Sequence, residues 1–376
     1  MQILTASPRD HLTDAQVRSL LTADSVAVSA GLELLDSSNA FVEDISDDLA
    51  SGEVTRNNFA DVHGACRLVI SRELAWGRDR VRPYMTLSNN GLSARFNLGV
   101  FVLTTPDSVR GETPASFTAS GFDLLYLLQS GPGDTYVADS GSTYFTALNA
   151  VWTASGIGAP LLLDGTASAT TLPATMVWAL TESDPASWLR IVNDLLTAIN
   201  YRGVWMDQDG NGRSEPYVAP SSRPVEWTFD TSDLSTDIVG EQRSLASDVW
   251  AAKNHWRFVR KNMTAQPVEG AGIYTVTNAS TGRTSVAAMG RTIKAPVQYL
   301  DAADQTALVA QGDQIIAKDK AVSRTFTITV DPFPAASHFD VVQLDDANES
   351  DKCQVTSWTL PLDGSQGRWI IEAVDA

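Results

Sequence analysis

Along Cys66-Arg-Leu-Val-Ile-Ser-Arg72 apolar and polar positions alternate, which is the period of a strand with one face buried. Similar short runs, rich in β-branched and aromatic residues, lie at 26–35, 84–88 and 94–104. Between them stand Asp36-Ser-Ser-Asn39 and Asn89-Asn-Gly91, residues that accept the backbone angles of tight turns. Strands this short at this spacing predict a small barrel or sandwich. Upstream, residues 1–24 read as an N-terminal arm carrying one short helix at 13–21.

After Pro106 the period changes. One more strand is predicted at 117–121, then a short apolar helix at 122–128. Tyr144, Leu148, Val151 and Trp152 fall on one face of a helix, with Ser142 as N-cap and Gly156 just past its end. Trp188, Val192, Leu195, Leu196 and Ile199 form the apolar stripe of a second helix, with Asp184 as cap, Pro185 in its first turn and Gly203 as stop. Pro216, Pro220 and Pro224 close this segment. Strands then return at 225–229, 256–260, 273–277, 285–289, 324–330, 339–344, 355–360 and 369–374. A helix capped by Asp301 and running to about residue 317 interrupts them. The fold class is therefore mainly β with an α+β insertion. The domain reading is an arm at 1–24, a first β-barrel at 25–112, an α+β domain at 113–222, and a second barrel with one helix at 223–376.

One stretch invites a metal reading. Asp207, Asp209 and Asn211 alternate before Gly212, as ligands do at the opening of a calcium loop. Counted from Asp207, however, the twelfth position is Val218, where that loop needs a bidentate Glu, and Pro216 interrupts the exit. The flanks are short aromatic and β-branched runs, not helices, and Asp-Gly with Asn-Gly between such runs is the signature of a β-hairpin. A tight turn is expected here, and no bound metal or cofactor.

Composition narrows the function classes. With 376 residues, 43% hydrophobic and 19% charged, the chain is long enough for two or three ordered domains. Its 27 basic residues against 45 acidic ones give a formal charge of −18, which disfavours nucleic acid as a bound partner. Cys66 and Cys353 stand far apart outside any CxxC pattern, so each reads as a small buried hydrophobe. The N-terminus lacks the regions of a signal peptide and no apolar run is long enough to span a bilayer, so a soluble protein made in the cytoplasm, with no membrane insertion, is expected. His11, His63, His255 and His338 are scattered, without an HExxH pair or a GxSxG elbow. Ser155-Gly-Ile-Gly158 follows a helix and reads as its stop, not as a phosphate cradle. Acid pairs at Asp47-Asp48 and Asp345-Asp346 sit in turn-like surroundings, and catalytic carboxylates are defined by a separation in space that sequence does not give. The only dense cationic stretch is Arg72-Glu-Leu-Ala-Trp-Gly-Arg-Asp-Arg-Val-Arg-Pro83. It reads either as a solvated loop between two strands or as a contact in which guanidinium groups meet carboxylates of a neighbouring copy.

Several framework segments resemble a known family. Gly52-Glu-Val-Thr-Arg-Asn-Asn58, Ser71-Arg-Glu-Leu-Ala-Trp-Gly77, Arg82-Pro-Tyr-Met-Thr-Leu87, Arg95-Phe-Asn-Leu-Gly99 and Thr359-Leu-Pro-Leu-Asp363 are similar to segments of minor tail proteins of tailed phages infecting actinobacteria. Such proteins resemble the baseplate hub, or tail-associated protein, of long-tailed phages. The resemblance implies two barrel-like hub domains around an α+β insertion, and a homotrimer whose six barrels form a pseudo-sixfold ring between the tail tube and the tip. It also implies a virion location, assembly in the host cytoplasm, and other tail proteins (distal tail or tube ring, tip or fibre proteins) as partners. Many hub proteins continue into a fibre or a wall-degrading domain, whereas this sequence ends at Ala376, soon after its last predicted strand. A scaffold role without catalysis is the expectation, and a glycan-binding or glycan-cleaving tail protein is the alternative.

A ring of chains each charged −18 repels itself, so apolar and arginine-rich contacts are required between subunits. The candidates are Trp76, Arg78, Arg80, Arg82 and Tyr84. An acidic wall is expected around the channel, because DNA in transit is repelled by it and does not stick.

Overall fold

The computed structural model describes residues 1–23, 25–104, 106–109, 116–179, 186–230, 244–246, 253–261, 266–282, 284–321, 325–345 and 350–374. The fold is mostly β with few helices. Its centre, among the described residues, is a sheet of fifteen strands. Gly64–Ile70 points Cys66, Leu68 and Ile70 into the core, and Arg80–Asn89 does the same with Val81, Met85 and Leu87, as period-two patterning requires. Leu49–Asn57 pairs on one side with Gly64–Ile70 and on the other with Ser350–Pro361, in the register Arg56 to Trp358 and Val54 to Leu360. Strands from the first and last parts of the chain thus belong to one sheet. Its path runs from Ser244–Ala246 to Phe41–Asp44 without closing, so the strands expected to form barrels make an open sheet among the described residues.

Among the described residues the buried apolar side chains gather in three clusters. The largest joins both ends of the chain, from Leu32, Leu68 and Phe96 to Phe229, Trp358 and Trp369. Leu4, Val17 and Leu20 of the N-terminal arm are buried in it, and Gln2 donates through Nε2 to the carbonyls of Asn97 and Pro334 at 3.1 and 2.9 Å. The second cluster holds the α+β segment, where Tyr144–Ala154 packs against Trp188–Ala198 through Leu148, Val151, Val192 and Leu196. In the third, Leu308 and Ile316 of the helix Gln305–Ala321 cover Trp256 and Phe258. These two aromatic residues belong to a four-stranded sheet of Val268–Glu269, Gly272–Thr277, His255–Arg260 and Gln298–Leu300.

Local chemistry explains where the elements depart from the sequence reading. The strand expected over 94–104 is two, Leu92–Asn97 and Phe101–Leu103, because Gly99 breaks it at φ +126°, a conformation open to glycine alone. The strand expected at 285–289 is a one-turn helix, Val286–Met289. Ser285 Oγ accepts the backbone N–H of Ala288 at 3.1 Å, and Gly290 ends the turn in the left-handed region. Asp304, not Asp301, starts the helix Gln305–Ala321 by accepting the Ala307 N–H at 2.8 Å, while Asp301 lies 3.6 Å from Lys261. Thr143 caps Tyr144–Ala154 in place of Ser142, whose hydroxyl turns back to the Asp139 carbonyl at 2.6 Å. Ser187 caps Trp188–Ala198, and the expected cap Asp184 with Pro185 lies outside the described residues. Cys66 and Cys353 are buried and unbridged. No helix among the described residues is long and apolar enough to cross a membrane.

Candidate assembly site

The cationic stretch does not face one way. Trp76 is half-buried, with its ring 5.7 Å from that of Phe117. Arg78 is the exposed member, 76% open, and its guanidinium lies 3.0 Å from Asp79. Arg80 turns inward and donates to Asn39 Oδ1 at 2.6 Å and to the Ile157 carbonyl at 2.7 Å. It thereby ties the main sheet to the stop of the helix Tyr144–Ala154. Arg82 and Arg95 grip the two oxygens of the buried Glu33 at 2.6 and 2.7 Å, and the Arg95 guanidinium stacks 3.6 Å from the centre of the Tyr84 ring. Paired and stacked in this way, both arginines hold strands of their own chain together. Of the five candidates Arg78 alone is exposed, and Trp76 is half-buried against the core.

A second constellation was not legible from spacing. Arg56, wholly buried, places Nη1 at 3.3 Å from Asp123 and donates through Nη2 to the Leu98 carbonyl at 2.8 Å. Asp123 also accepts the backbone N–H groups of Gly64 at 2.6 Å and Leu125 at 3.0 Å. This carboxylate therefore caps the 3-10 helix Leu124–Gln129 and ends the strand Ser116–Asp123. Burial pushes its pKa up to about 6, against the pull of Arg56. Beside this pair His63 and His338 lie with ring centroids 5.4 Å apart, and Phe339 stands edge-on to His63. Burial, then the Arg56 charge, pushes His63 down to about 4 and His338 well below its ordinary value, so both rings are neutral at pH 7. Among the described residues His63 Nδ1 and His338 Nε2 have no hydrogen-bond partner.

Next to them is a cavity of about 450 Å³ lined by His63, Arg202, Tyr217, Phe339, Ile316 and Val374, among others. Arg202 stacks 4.8 Å from the Phe339 ring centre and 5.1 Å from that of Tyr217, and burial lowers its pKa to about 10. The cavity sits where the α+β segment, the helix Gln305–Ala321 and the end of the main sheet meet. Among the described residues no group of three or more His, Cys, Asp or Glu is placed to hold a metal.

The Asp-rich turn is a hairpin, Trp205–Met206 paired with Gly212–Ser214. Asp207 Oδ1 accepts the backbone N–H groups of Asp209 and Asn211 at 3.0 and 2.9 Å, and Oδ2 accepts Arg213 Nε at 2.6 Å. Asp209 Oδ1 accepts Asn97 Nδ2 at 2.7 Å, which fastens the turn to the main sheet. With these oxygens committed, Asp207→Ala is expected to lower stability by about 1–2 kcal/mol, read as a shift of the urea midpoint. Millimolar calcium is expected to leave the wild-type midpoint unchanged, and a calcium-dependent rise would restore the metal reading.

No protein-family model and no curated relative matches the sequence. Solved structures do share the fold. A tail protein from Neisseria meningitidis MC58 superimposes with a TM-score of 0.63 over 92% of this chain and 96% of its own, at 11% identity. A prophage MuSo2 tail protein from Shewanella oneidensis gives 0.59 over 92% and 98%, at 12% identity. A prophage tail protein from Listeria monocytogenes EGD-e gives 0.55 over 91% and 94%, at 11% identity. These three are tail proteins, two of them of prophages, and the likeness extends over nearly the whole of each chain.

Proposed function

We propose that this chain is a structural hub component of a phage tail, the tail being that of a phage of actinobacteria. Its copies form a trimeric, pseudo-sixfold ring between the tail tube and the tip. The observation that carries this reading is the match along 92% of the chain and 96% of a tail protein at a TM-score of 0.63. An isolated module grafted onto another scaffold does not produce agreement of that extent. The partners are further copies of the chain and adjoining tail proteins, with DNA only in transit through an acidic lumen. Trp76 and Arg78 belong to the contacts between copies.

The geometry of the buried groups supports a scaffold over an enzyme. Arg56 and Asp123 lock strand ends together, His63 and His338 are held neutral, and Arg80, Arg82 and Arg95 are bound to partners in their own chain. Incubated with host cell-wall fragments, the pure protein is expected to release no sugar and to stay in the supernatant after centrifugation. Sugar release or tight co-sedimentation would assign it a glycan-handling role instead.

A further inference from the structure

We propose that the outer edge of the strand Phe41–Asp44 in one copy docks on the outer edge of the strand Gln298–Leu300 in the next copy, a head-to-tail contact that closes a ring. The proposal rests on the ring reading above and names the surfaces that make it. Phe41–Asp44 is the last strand of the main sheet and pairs only with Ala27–Leu35 among the described residues. All four of its residues are exposed, with Phe41 57% and Val42 55% open. Gln298–Leu300 is the last strand of the four-stranded sheet and pairs only with His255–Arg260 among the described residues. Val297 and Tyr299 there are 49% and 61% open. An exposed strand edge carries unpaired N–H and C=O groups and recruits another strand unless it is covered.

Charge decides which edge meets which. Residues 19–55 hold eight acidic side chains and no Lys or Arg, whereas residues 284–300 hold two basic side chains, Arg291 and Lys294, and no acid, and Asp301 just beyond lies 3.6 Å from Lys261. Arg72 reaches into the first region and neutralises Glu43 at 2.9 Å, and Arg82 and Arg95 serve Glu33. Asp36, Asp44 and Asp47 keep the edge negative. Beside the second edge Lys294 is exposed. In a chain charged −18, most self-contacts set acid against acid. Acidic edge on basic edge is the pairing that gains from its charges as well as from its apolar residues. Two copies joined by a twofold axis through either edge would set like against like. A contact between unlike surfaces repeats head to tail and ends when the ring closes.

Phe41→Asp removes the apolar contact from the acidic edge and Tyr299→Lys removes it from the basic edge, both at exposed positions. Analytical ultracentrifugation of the full chain at low salt is expected to show trimers for the wild type. Each single variant is expected to associate about tenfold or more weakly, and the wild-type trimer is expected to weaken as salt rises. Mixing the two variants is expected to yield a one-to-one heterodimer, because one intact edge of each kind remains. A twofold contact at one edge would leave one of the variants fully assembled and would overturn the proposal. Variants that both trimerise like the wild type would also overturn it, while leaving the ring reading in place. A wild type monomeric at every concentration overturns this contact, and the ring reading then stands or falls on images of the tail.

Discussion

Arg56→Ala is expected to lower the free energy of unfolding by about 3–5 kcal/mol, the cost of leaving one buried charge without its partner. The residue lies in Leu49–Asn57, the strand on which the first and last parts of the chain meet, directly opposite Trp358. Its guanidinium reaches the carboxylate that caps Leu124–Gln129, so one side chain ties together the main sheet and the entry to the α+β segment. Asp123 in the variant keeps the N–H groups of Gly64 and Leu125 but loses the only cation in contact with it among the described residues. Its pKa then rises further. A carboxyl whose folded pKa is raised contributes most below its unfolded value and loses that contribution as pH rises. The deficit of Arg56→Ala is therefore expected to be largest at pH 7 and to shrink toward pH 5. Arg56→Met combined with Asp123→Asn, which removes both charges and keeps an acceptor, is expected to cost less than Arg56→Ala alone. Urea unfolding of the three proteins at both pH values measures this, and an equal cost for single and double variants would show that the pair is not coupled.

Acid is expected to weaken the fold through the histidines. His63, at about 4 in the folded chain against 6.5 ordinarily, and His338, held well below its ordinary value by burial, stay neutral while an unfolded chain takes up their protons. For a base whose folded pKa is depressed, stability is full above the unfolded value and is lost as pH falls toward the folded one. Asp123, raised to about 6, works in the opposite sense over part of the same range and offsets one histidine. Two histidines against one carboxylate leave a net loss of about 2–3 kcal/mol between pH 7 and pH 4.5. Exposed carboxylates such as Asp36 and Asp363, held below their ordinary range by hydrogen bonds to Ser38 and Ser365, push in the same direction. Solvent screening keeps their share small. His63→Phe, placed against Phe339, is expected to flatten the decline. A variant that loses as much stability as the wild type on acidification would remove His63 from the account.

The sequence showed most of the strands and the order β, α+β, β, because alternation, turn residues and caps are local signals. It hid what depends on distant partners. Leu49–Asn57, written Leu-Ala-Ser-Gly-Glu-Val-Thr-Arg-Asn, has little apolar periodicity and becomes a strand only between Gly64–Ile70 and Ser350–Pro361. For the same reason a sheet that is open among the described residues and built from both ends of the chain reads as two separate barrels. Phe41–Asp44 is exposed on all four residues, so no buried face imprints a period on it. At the candidate site, Arg80 and Arg82 looked like surface charge because sequence does not show that Asn39, Ile157 and Glu33 wait for them. Arg56 carried one faint signal, its position two residues after the inward-facing Val54. His63 and His338, 275 residues apart in sequence, carried none.

A reconstruction of the intact tail tests the assembly most directly. Three copies of this chain are expected in one ring at the distal end of the tube, with the acidic edge of each copy on the basic edge of the next and an acidic wall around the channel. Six copies in a sixfold ring, a position on the outer surface of the tail, or a channel lined mainly by lysine and arginine would contradict it.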